Sequence, residues 1–215
     1  MKKQIYNVII LDESGSMEAI KLQAIGGYNE TIQTIRGSQK ELNDTQQHYL
    51  TLVTFNGSGI KTVYDRVPIE NAEKLDSKSY RPDADTPLFD AMGLTFTKLR
   101  FSIADVKEPE VLVTIITDGE ENSSKEFNRN MIKNMVDDLK QLGWVFTYIG
   151  ANQDVEKVAH RISITNTLSF DSSMEGTQAM FIRENANRKS YYSKINDADF
   201  KEQRNTHYFK DKESE

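Results

Sequence analysis

The 215-residue sequence contains no cysteine, which excludes thiol catalysis, thiolate metal sites and disulfide bonds. It also lacks any stretch approaching the roughly 20 apolar residues that a membrane-spanning helix needs. The apolar run near the amino terminus ends at Leu11 and is too short for the core of a signal peptide. We therefore expect no membrane partner, and we predict a cytoplasmic location.

Positive charge is not in excess. The sequence has 27 Lys and Arg residues against 33 Asp and Glu residues, for a net charge of −6, and its basic residues are scattered. Nucleic acid is therefore not expected as a partner. The Gly-x-x-x-x-Gly-Lys phosphate loop and the Gly-x-Ser-x-Gly nucleophile turn are also missing, so two common enzyme classes have no support.

The length favours one domain with an appendage. From residue 196 onward the chain is mostly charged, and Tyr208 and Phe209 are its clustered large apolar residues. We predict a domain over residues 1–195 and a polar tail over residues 196–215. The tail is expected to be either disordered or docked through Tyr208 and Phe209.

A strand followed by an oxygen-rich cluster lies near the amino terminus. Residues 8–11 are apolar and uncharged, as in a strand buried on both faces. Asp12, Ser14 and Ser16 then follow two apart, and Gly15 lets the backbone point their oxygens toward one centre. Such ligands suit a hard cation such as magnesium. The same residues are also typical of a turn followed by a helix cap, so both interpretations stay open here.

The pattern recurs further along the chain. Residues 111–116 form a second uncharged run, which ends at Asp118. Between the two runs, Thr86 precedes Pro87, which suits the first turn of a helix, and Thr86 is predicted to cap that helix. The carboxyl ends of parallel strands meet at one edge of a sheet, so Asp12 and Asp118 are expected to lie together with Thr86 nearby.

Strand and helix patterns alternate through most of the sequence, which predicts a mainly parallel sheet with helices on both faces. Residues 56–59 form a turn too short for a parallel crossover, so strand 60–67 is predicted to be antiparallel and at an edge. The expected fold is a Rossmann-like, doubly wound α/β fold with six strands. Further strands are predicted at residues 48–55, 144–149 and 167–170, and helices at 17–35, 87–101, 127–142, 154–162 and 174–195.

Three smaller interpretations accompany this fold. Gly26 and Gly27 interrupt the first helix and are interpreted as a local weakening rather than a packing contact. In helix 127–142, a core-facing stripe of Met131, Met135, Leu139 and Leu142 is predicted. The histidines lie far apart in sequence and are interpreted as ordinary surface or capping residues: His48, His160 and His207.

Taken together, the polar residues resemble the metal-ion-dependent adhesion site (MIDAS) of the von Willebrand factor type A domain. That site reads Asp-x-Ser-x-Ser, then a distant Thr, then a distant Asp. The order, the flanking strands and the separations agree over about residues 4–170. With neither cysteine nor a signal peptide, the chain looks most like the stand-alone bacterial members of the family. The matching residues are Asp12, Ser14 and Ser16, then Thr86 before Pro87-Leu88, then Asp118 in Thr117-Asp118-Gly119.

The resemblance implies a function. Ser14, Ser16 and, in the ligand-engaged state, Thr86 would contact Mg²⁺ or Mn²⁺ directly, while Asp12 and Asp118 would act largely through water. An acidic residue of a partner protein would complete the metal's shell, and no catalysis is expected. The sequence departs from the family pattern just before Thr86, because Asp85 stands where glycine is common. We therefore expect this side chain to modify the metal site.

Two alternatives remain open. In the first, the domain is a metal-free structural scaffold, although the like charges at the site would then repel one another. In the second, it is a magnesium-dependent phosphotransfer enzyme of the haloacid dehalogenase type, with Asp12 as nucleophile. That pattern needs a second aspartate at position 14, where this sequence has Ser14.

Overall fold

The two uncharged runs form the central strands of a sheet in the computed structural model, which describes residues 2–151, 154–205 and 207–209. The sheet has the order β3-β2-β1-β4-β5-β6. All neighbouring strands are parallel except β3, which pairs antiparallel with β2 at the edge. The predicted fold class is therefore confirmed. The strands are β1 (Lys3–Asp12), β2 (Gln46–Asn56), β3 (Gly59–Pro68), β4 (Glu110–Thr117), β5 (Val145–Ala151) and β6 (Asn166–Phe170).

The described helices lie on both faces of the sheet. A 3-10 helix over Gly15–Ile20 precedes the first α-helix, so the predicted helix at 17–35 begins in a different form and extends further. None of the described helices is both long and apolar enough to cross a membrane. The α-helices are α1 (Lys21–Glu41), α2 (Leu88–Ser102), α3 (Arg129–Gln141), α4 (Val155–His160), α5 (Met174–Lys194) and α6 (Ala198–Gln203).

Alternation of side chains along the strands divides the core into two layers. On β1, Ile5 and Ile9 pack in the layer that contains α1 and α5. Val8 and Ile10 point the other way, into the layer that contains α2, α3 and α4. Because both faces of β1 and β4 are covered, their apolar runs are continuous rather than alternating with polar residues.

The predicted apolar stripe of α3 is partly wrong. Met131 and Leu142 are exposed, and the buried residues of the helix are Ile132, Val136 and Leu139. A period of 3.6 residues fits two neighbouring stripes almost equally well, so hydrophobicity alone did not distinguish them.

The paired glycines of α1 have different surroundings, and the interpretation as a local weakening is wrong for Gly27. A Cβ atom built on Gly27 would lie 1.9 Å from Cδ2 of Phe181 in α5, far inside van der Waals contact. A Cβ on Gly26 would have nothing within 4 Å. Gly27 therefore permits close packing of α1 against α5, a contact between elements that are distant in sequence.

A fully buried ion pair lies beneath α5. Arg188 contacts Glu184 one turn earlier, with 2.7 Å between Nη2 and Oε1. The same guanidinium donates to Thr114 Oγ1 of β4 (2.6 Å) and to the hydroxyl of Tyr192 (3.2 Å), and Tyr192 in turn donates to Asn7 of β1. Each charge has a partner, and the network joins α5 to both central strands.

His48 belongs to the same buried region, so its interpretation as a surface or capping residue is wrong. Its Nε2 lies 3.0 Å from Gln46 Oε1, and its ring meets that of Tyr192 edge to face with 4.6 Å between centroids. Burial lowers the pKa of His48 to about 3, with a further contribution from the charge of Arg188. The imidazole is therefore neutral at ordinary pH and serves in packing.

Part of the predicted tail packs on the domain. Tyr208 and Phe209 are buried, and the hydroxyl of Tyr208 donates to Glu184 Oε1 (3.2 Å). The side chain of Arg204 also forms an ion pair with Glu110 of β4. Residues 206 and 210–215 lie outside the described residues, and the domain boundary at residue 195 stays a prediction.

The two glycines make a matched pair for a stability test. Gly26→Ala should raise the free energy of unfolding by about 0.5–1 kcal/mol, because alanine is a better helix residue and has space. Gly27→Ala should lower it by about 1–3 kcal/mol through overpacking against Phe181. Urea denaturation followed by circular dichroism measures both. Equal stabilisation by the two variants would contradict the described contact between α1 and α5.

The buried pair has its own control on the same helix. Arg188→Met should cost about 3–5 kcal/mol of unfolding free energy, because it leaves the Glu184 carboxyl buried without its cation. Lys189→Met breaks the exposed pair with Glu41 and should cost no more than about 1 kcal/mol. The same urea titration compares them. A similar loss in both variants would show that the Arg188 network adds no stability of its own.

Candidate metal site

The buried carboxylate of Asp12 lies where β1 ends beside β4. Leu11 pairs with Ile116 in parallel register, so the residues after them emerge at the same sheet edge. One oxygen of Asp12 accepts from the backbone N–H of Ser14 (2.7 Å), and the other accepts from the hydroxyl of Thr117 (2.5 Å). The carboxylate is thus oriented both by its own turn and by the neighbouring strand.

Two serine hydroxyls converge with the second carboxylate. Ser14 Oγ lies 3.3 Å from Ser16 Oγ, and Ser16 Oγ donates to Asp118 Oδ1 at 2.6 Å. Ser14 is buried and Ser16 is exposed, so the cluster reaches from the protein interior to the surface. The 3-10 turn after β1 therefore places both serines on the same side as Asp118.

Thr86 joins the cluster from a third segment. A Cβ atom built on Gly119 would lie 3.5 Å from Thr86 Oγ1 and 3.7 Å from Ser16 Oγ, so both hydroxyls lie beside Gly119. The predicted capping role of Thr86 is wrong, because Pro87 occupies the N-cap position of α2 and the free N–H groups of Phe89 and Asp90 are bound by Glu121 and Ser124 instead. The threonine hydroxyl is thus not used by the helix end.

Residues that the sequence did not point to hold Thr86 in place. Thr86 N–H donates to Asn122 Oδ1 (2.9 Å), and Asn122 N–H donates to the Thr86 carbonyl (3.2 Å). The Glu121 carboxylate accepts from Phe89 N–H at the start of α2 (2.8 Å). The loop after β4 and the loop before α2 are therefore joined directly. A separate contact holds the end of β1, where the hydroxyl of Tyr80 donates to the carbonyl of Asp12.

A second carboxylate strengthens this junction. Asp90, in the first turn of α2, accepts three backbone N–H bonds of 2.8 to 2.9 Å from the loop after β4. These bonds join α2 to a loop that is distant in sequence, which a local sequence pattern does not reveal. The donors are Lys125, Glu126 and Phe127.

Burial disfavours the charge on both site carboxylates. It raises the pKa of Asp12 to about 6, and the nearby charge of Asp118 acts in the same direction. Burial also raises the pKa of Asp118, against the lowering effect of the Ser16 hydrogen bond. A cation would favour the charged forms of both groups. The donors are oxygens only, which fits Mg²⁺ or Mn²⁺.

The site contains more hydroxyls than carboxylates. Among the described residues, no three His, Cys, Asp or Glu side chains come together as a candidate metal site. The five predicted residues contribute two carboxylates and three hydroxyls instead, and the structure brings all five to one edge. Whether they bind metal remains a prediction.

Asp85 precedes Thr86 in an exposed loop segment. A Cβ atom built on Gly57, at the tip of the β2–β3 hairpin, would lie 2.8 Å from the backbone nitrogen of Asp85 and 3.3 Å from its Cβ. The hairpin tip thus packs closely against the backbone of this loop. The expected effect of Asp85 on the metal site stays a prediction.

No protein-family profile matches the sequence, and no curated protein matches it either. Solved structures do. The pilus adhesin SpaC from Lactobacillus rhamnosus GG matches at TM-score 0.63 and 15% identity, over 88% of this chain and 30% of the adhesin. Proximal thread matrix protein 1 from the mussel byssus, solved with a zinc-occupied MIDAS motif, matches at TM-score 0.56 and 13% identity, over 84% and 44%.

A third structure is manganese-loaded TRAP from Plasmodium vivax, at TM-score 0.54 and 18% identity, over 85% of this chain and 73% of TRAP. The chain spans less than half of the byssus protein and of the adhesin. Together with the strand order, these similarities show that the chain has a von Willebrand factor type A fold, as its sequence predicts. At such low identities they show the fold alone.

Because the pKa of Asp12 is raised in the folded protein, the free energy of unfolding should depend on pH. The folded protein binds the proton of the Asp12 carboxyl more tightly than the unfolded chain does. Protonation of Asp12 therefore contributes fully to the free energy of unfolding below about pH 4, and this contribution is lost as pH rises through about 6. In chelator, the unfolding free energy of the wild type should therefore fall relative to Asp12→Asn by up to roughly 3 kcal/mol between pH 4 and pH 7.

Urea titrations of both proteins at several pH values measure this difference. Saturating magnesium at pH 7 should stabilise the wild type more than Asp12→Asn, because the variant keeps only one of the two site carboxylates, that of Asp118. Parallel pH profiles for the two proteins would show that Asp12 ionises in the folded state as it does in the unfolded chain.

Proposed function

We propose that this domain binds a partner protein through a divalent cation, Mg²⁺ or Mn²⁺, held by Asp12, Ser14, Ser16, Thr86 and Asp118. The observation that carries the proposal is the convergence of these five side chains, from three separate segments, at the carboxyl edge of the sheet. Ser14, Ser16 and Thr86 are proposed as direct ligands, and Asp12 and Asp118 as groups that act largely through water.

The chemistry of the donor set supports an open ligand position. Three neutral hydroxyls leave more of the cation's charge uncompensated than a set of carboxylates would, so a further anion is attracted. The proposed anion is a glutamate or aspartate side chain of the partner. Ser16 is exposed, which gives such a side chain access from solvent. The zinc and manganese in two similar structures support a divalent ion in this fold.

The arrangement of Asp12 argues against the phosphotransfer alternative. A nucleophilic carboxylate needs access to its substrate, but Asp12 is fully buried and each of its oxygens already accepts a hydrogen bond. The residue two positions later is Ser14, where that mechanism needs an acid. We therefore propose binding without catalysis. The metal-free scaffold is the remaining alternative, and cation binding distinguishes it. The cytoplasmic location stays a prediction.

Calorimetric titration with magnesium tests the metal site. Ser14→Ala removes a proposed direct ligand and Asp118→Asn removes a charge, so each should weaken magnesium binding by at least about tenfold, or 1.4 kcal/mol. Asp137→Asn is the matched control, because it removes the same charge from a half-buried surface position on α3, where Asp137 pairs with Lys133. Its affinity should equal that of the wild type. Equal weakening of magnesium binding by Asp137→Asn and Asp118→Asn would show that the loss of affinity follows from the change in net charge and not from loss of a site residue.

Cation-dependent binding of a partner protein is tested by capture. Proteins captured on the immobilised wild type in magnesium should be released by chelator, and they should not be captured by Ser14→Ala. Replacing the recognised acidic residue of the captured protein by its amide should abolish binding to the same degree as chelation. Capture that survives both chelation and Ser14→Ala would place the interface elsewhere on the domain.

A further inference from the structure

A surface groove runs between the first halves of α1 and α5. Its volume is about 380 Å³, and Gly26 and Gly27 form part of its wall. Leu22 and Met174 border it from opposite helices and are 67% and 59% exposed, while Phe181 beside them is buried. The groove therefore presents apolar side chains to solvent on both of its sides.

The space above Gly26 is open. A Cβ atom there would meet no heavy atom within 4 Å, whereas one on Gly27 would enter the ring of Phe181. A side chain longer than alanine at Gly26 would thus extend into the groove rather than into the core. A single large side chain substituted at Gly26 would therefore fill the groove.

The groove lies near the candidate metal site. α1 continues from the 3-10 helix that begins at Gly15, and Leu22 follows Ser16 by six residues. Four steps at about 2 Å in the 3-10 helix and two at about 1.5 Å in α1 separate the two residues by roughly 11 Å along the chain axis. α5 also starts just after β6 ends, at the same carboxyl edge of the sheet. One extended segment of a partner can reach both places.

The charge of the groove is of one sign. Glu30 of α1 and Glu175 of α5 line it from opposite sides, and no lysine or arginine occurs among the described residues that line it. Both glutamates are exposed. An apolar side chain flanked by Lys or Arg complements this surface, since the apolar part fills the space above Gly26 and the cations meet the two carboxylates.

We propose that the groove binds an apolar segment flanked by basic residues in a partner protein. The second half of the proposal rests on the proposed function: this segment belongs to the same partner whose acidic residue reaches the cation. The partner would then carry an acidic residue and a basic, apolar stretch about 11 Å apart. This pattern of opposite charges would fix the orientation in which the partner binds.

The probe for the groove is a short synthetic peptide of leucine and lysine, with two matched peptides in which lysine is replaced by glutamate or leucine by serine. Binding is followed by the NMR signal of the Met174 methyl group in protein with labelled methionine. The leucine–lysine peptide should shift this signal in a saturable way. The other two peptides should shift it at least about tenfold less at the same concentration.

Gly26→Phe fills the groove and should abolish the shift, and Gly37→Phe is the matched control. Gly37 lies on the same helix, outside the groove, and a Cβ there also meets nothing within 4 Å. Gly37→Phe should bind like the wild type. A second, independent variant is Glu30→Gln/Glu175→Gln, which should weaken the peptide where Glu70→Gln/Glu202→Gln does not. Equal binding by Gly26→Phe and Gly37→Phe would overturn the proposal.

Peptide binding in the groove and glutamate binding at the metal site can be tested separately. Binding of the leucine–lysine peptide should be the same in magnesium and in chelator, because this peptide has no acid. Extending it by a spacer and one glutamate should add affinity in magnesium alone, and Ser14→Ala should remove only that addition. If the added glutamate gives the wild type no extra affinity in magnesium while the leucine–lysine peptide still binds, the link to the metal site is refuted. A Met174 signal that shifts with protein concentration before any peptide is added would assign the groove to a second copy of the chain.

Discussion

The structure depends on holding the Asp12 carboxylate, buried and close to Asp118, at the end of the central strand. Burial raises the pKa of both groups, so their charged forms are unfavourable without a compensating charge. Hydrogen bonds from Ser14 and Thr117 offset part of this effect. The fold thus maintains a locally unfavourable arrangement, which is common where a protein binds a ligand. A divalent cation would remove the penalty.

The surrounding loops are built so that this arrangement keeps its shape. Asn122 fixes the backbone of Thr86 from both sides, and the Glu121 and Asp90 carboxylates bind backbone N–H groups across the two loops. None of these residues is among the proposed ligands. They support the site by satisfying loop backbone groups that would otherwise need water. Thr86 and Asp118 are therefore positioned as one unit, although they come from different segments.

Much of this architecture could be predicted from the sequence, because buried parallel strands have uncharged runs and the site follows two of them. The edge position of β3 followed from the length of one turn. What escaped prediction depends on contacts between distant residues. Arg188 and Glu184 look like solvent-facing charges in a polar helix, and Gly27 looks like a weak point. Only the packing of α5 against β1, β4 and α1 gives these residues their roles.

The location of a bound cation is the most direct test of the proposed metal site. Manganese added below one equivalent should broaden backbone NMR signals in a sphere centred on Ser14, Ser16, Thr86 and Gly119, because paramagnetic relaxation depends steeply on distance. Excess magnesium should restore these signals by competition. No such broadening is expected at two acids on the surface of α3, Asp137 and Asp138. Broadening centred on those acids, or spread over the acidic surface without a centre, would contradict a metal site at the end of β1.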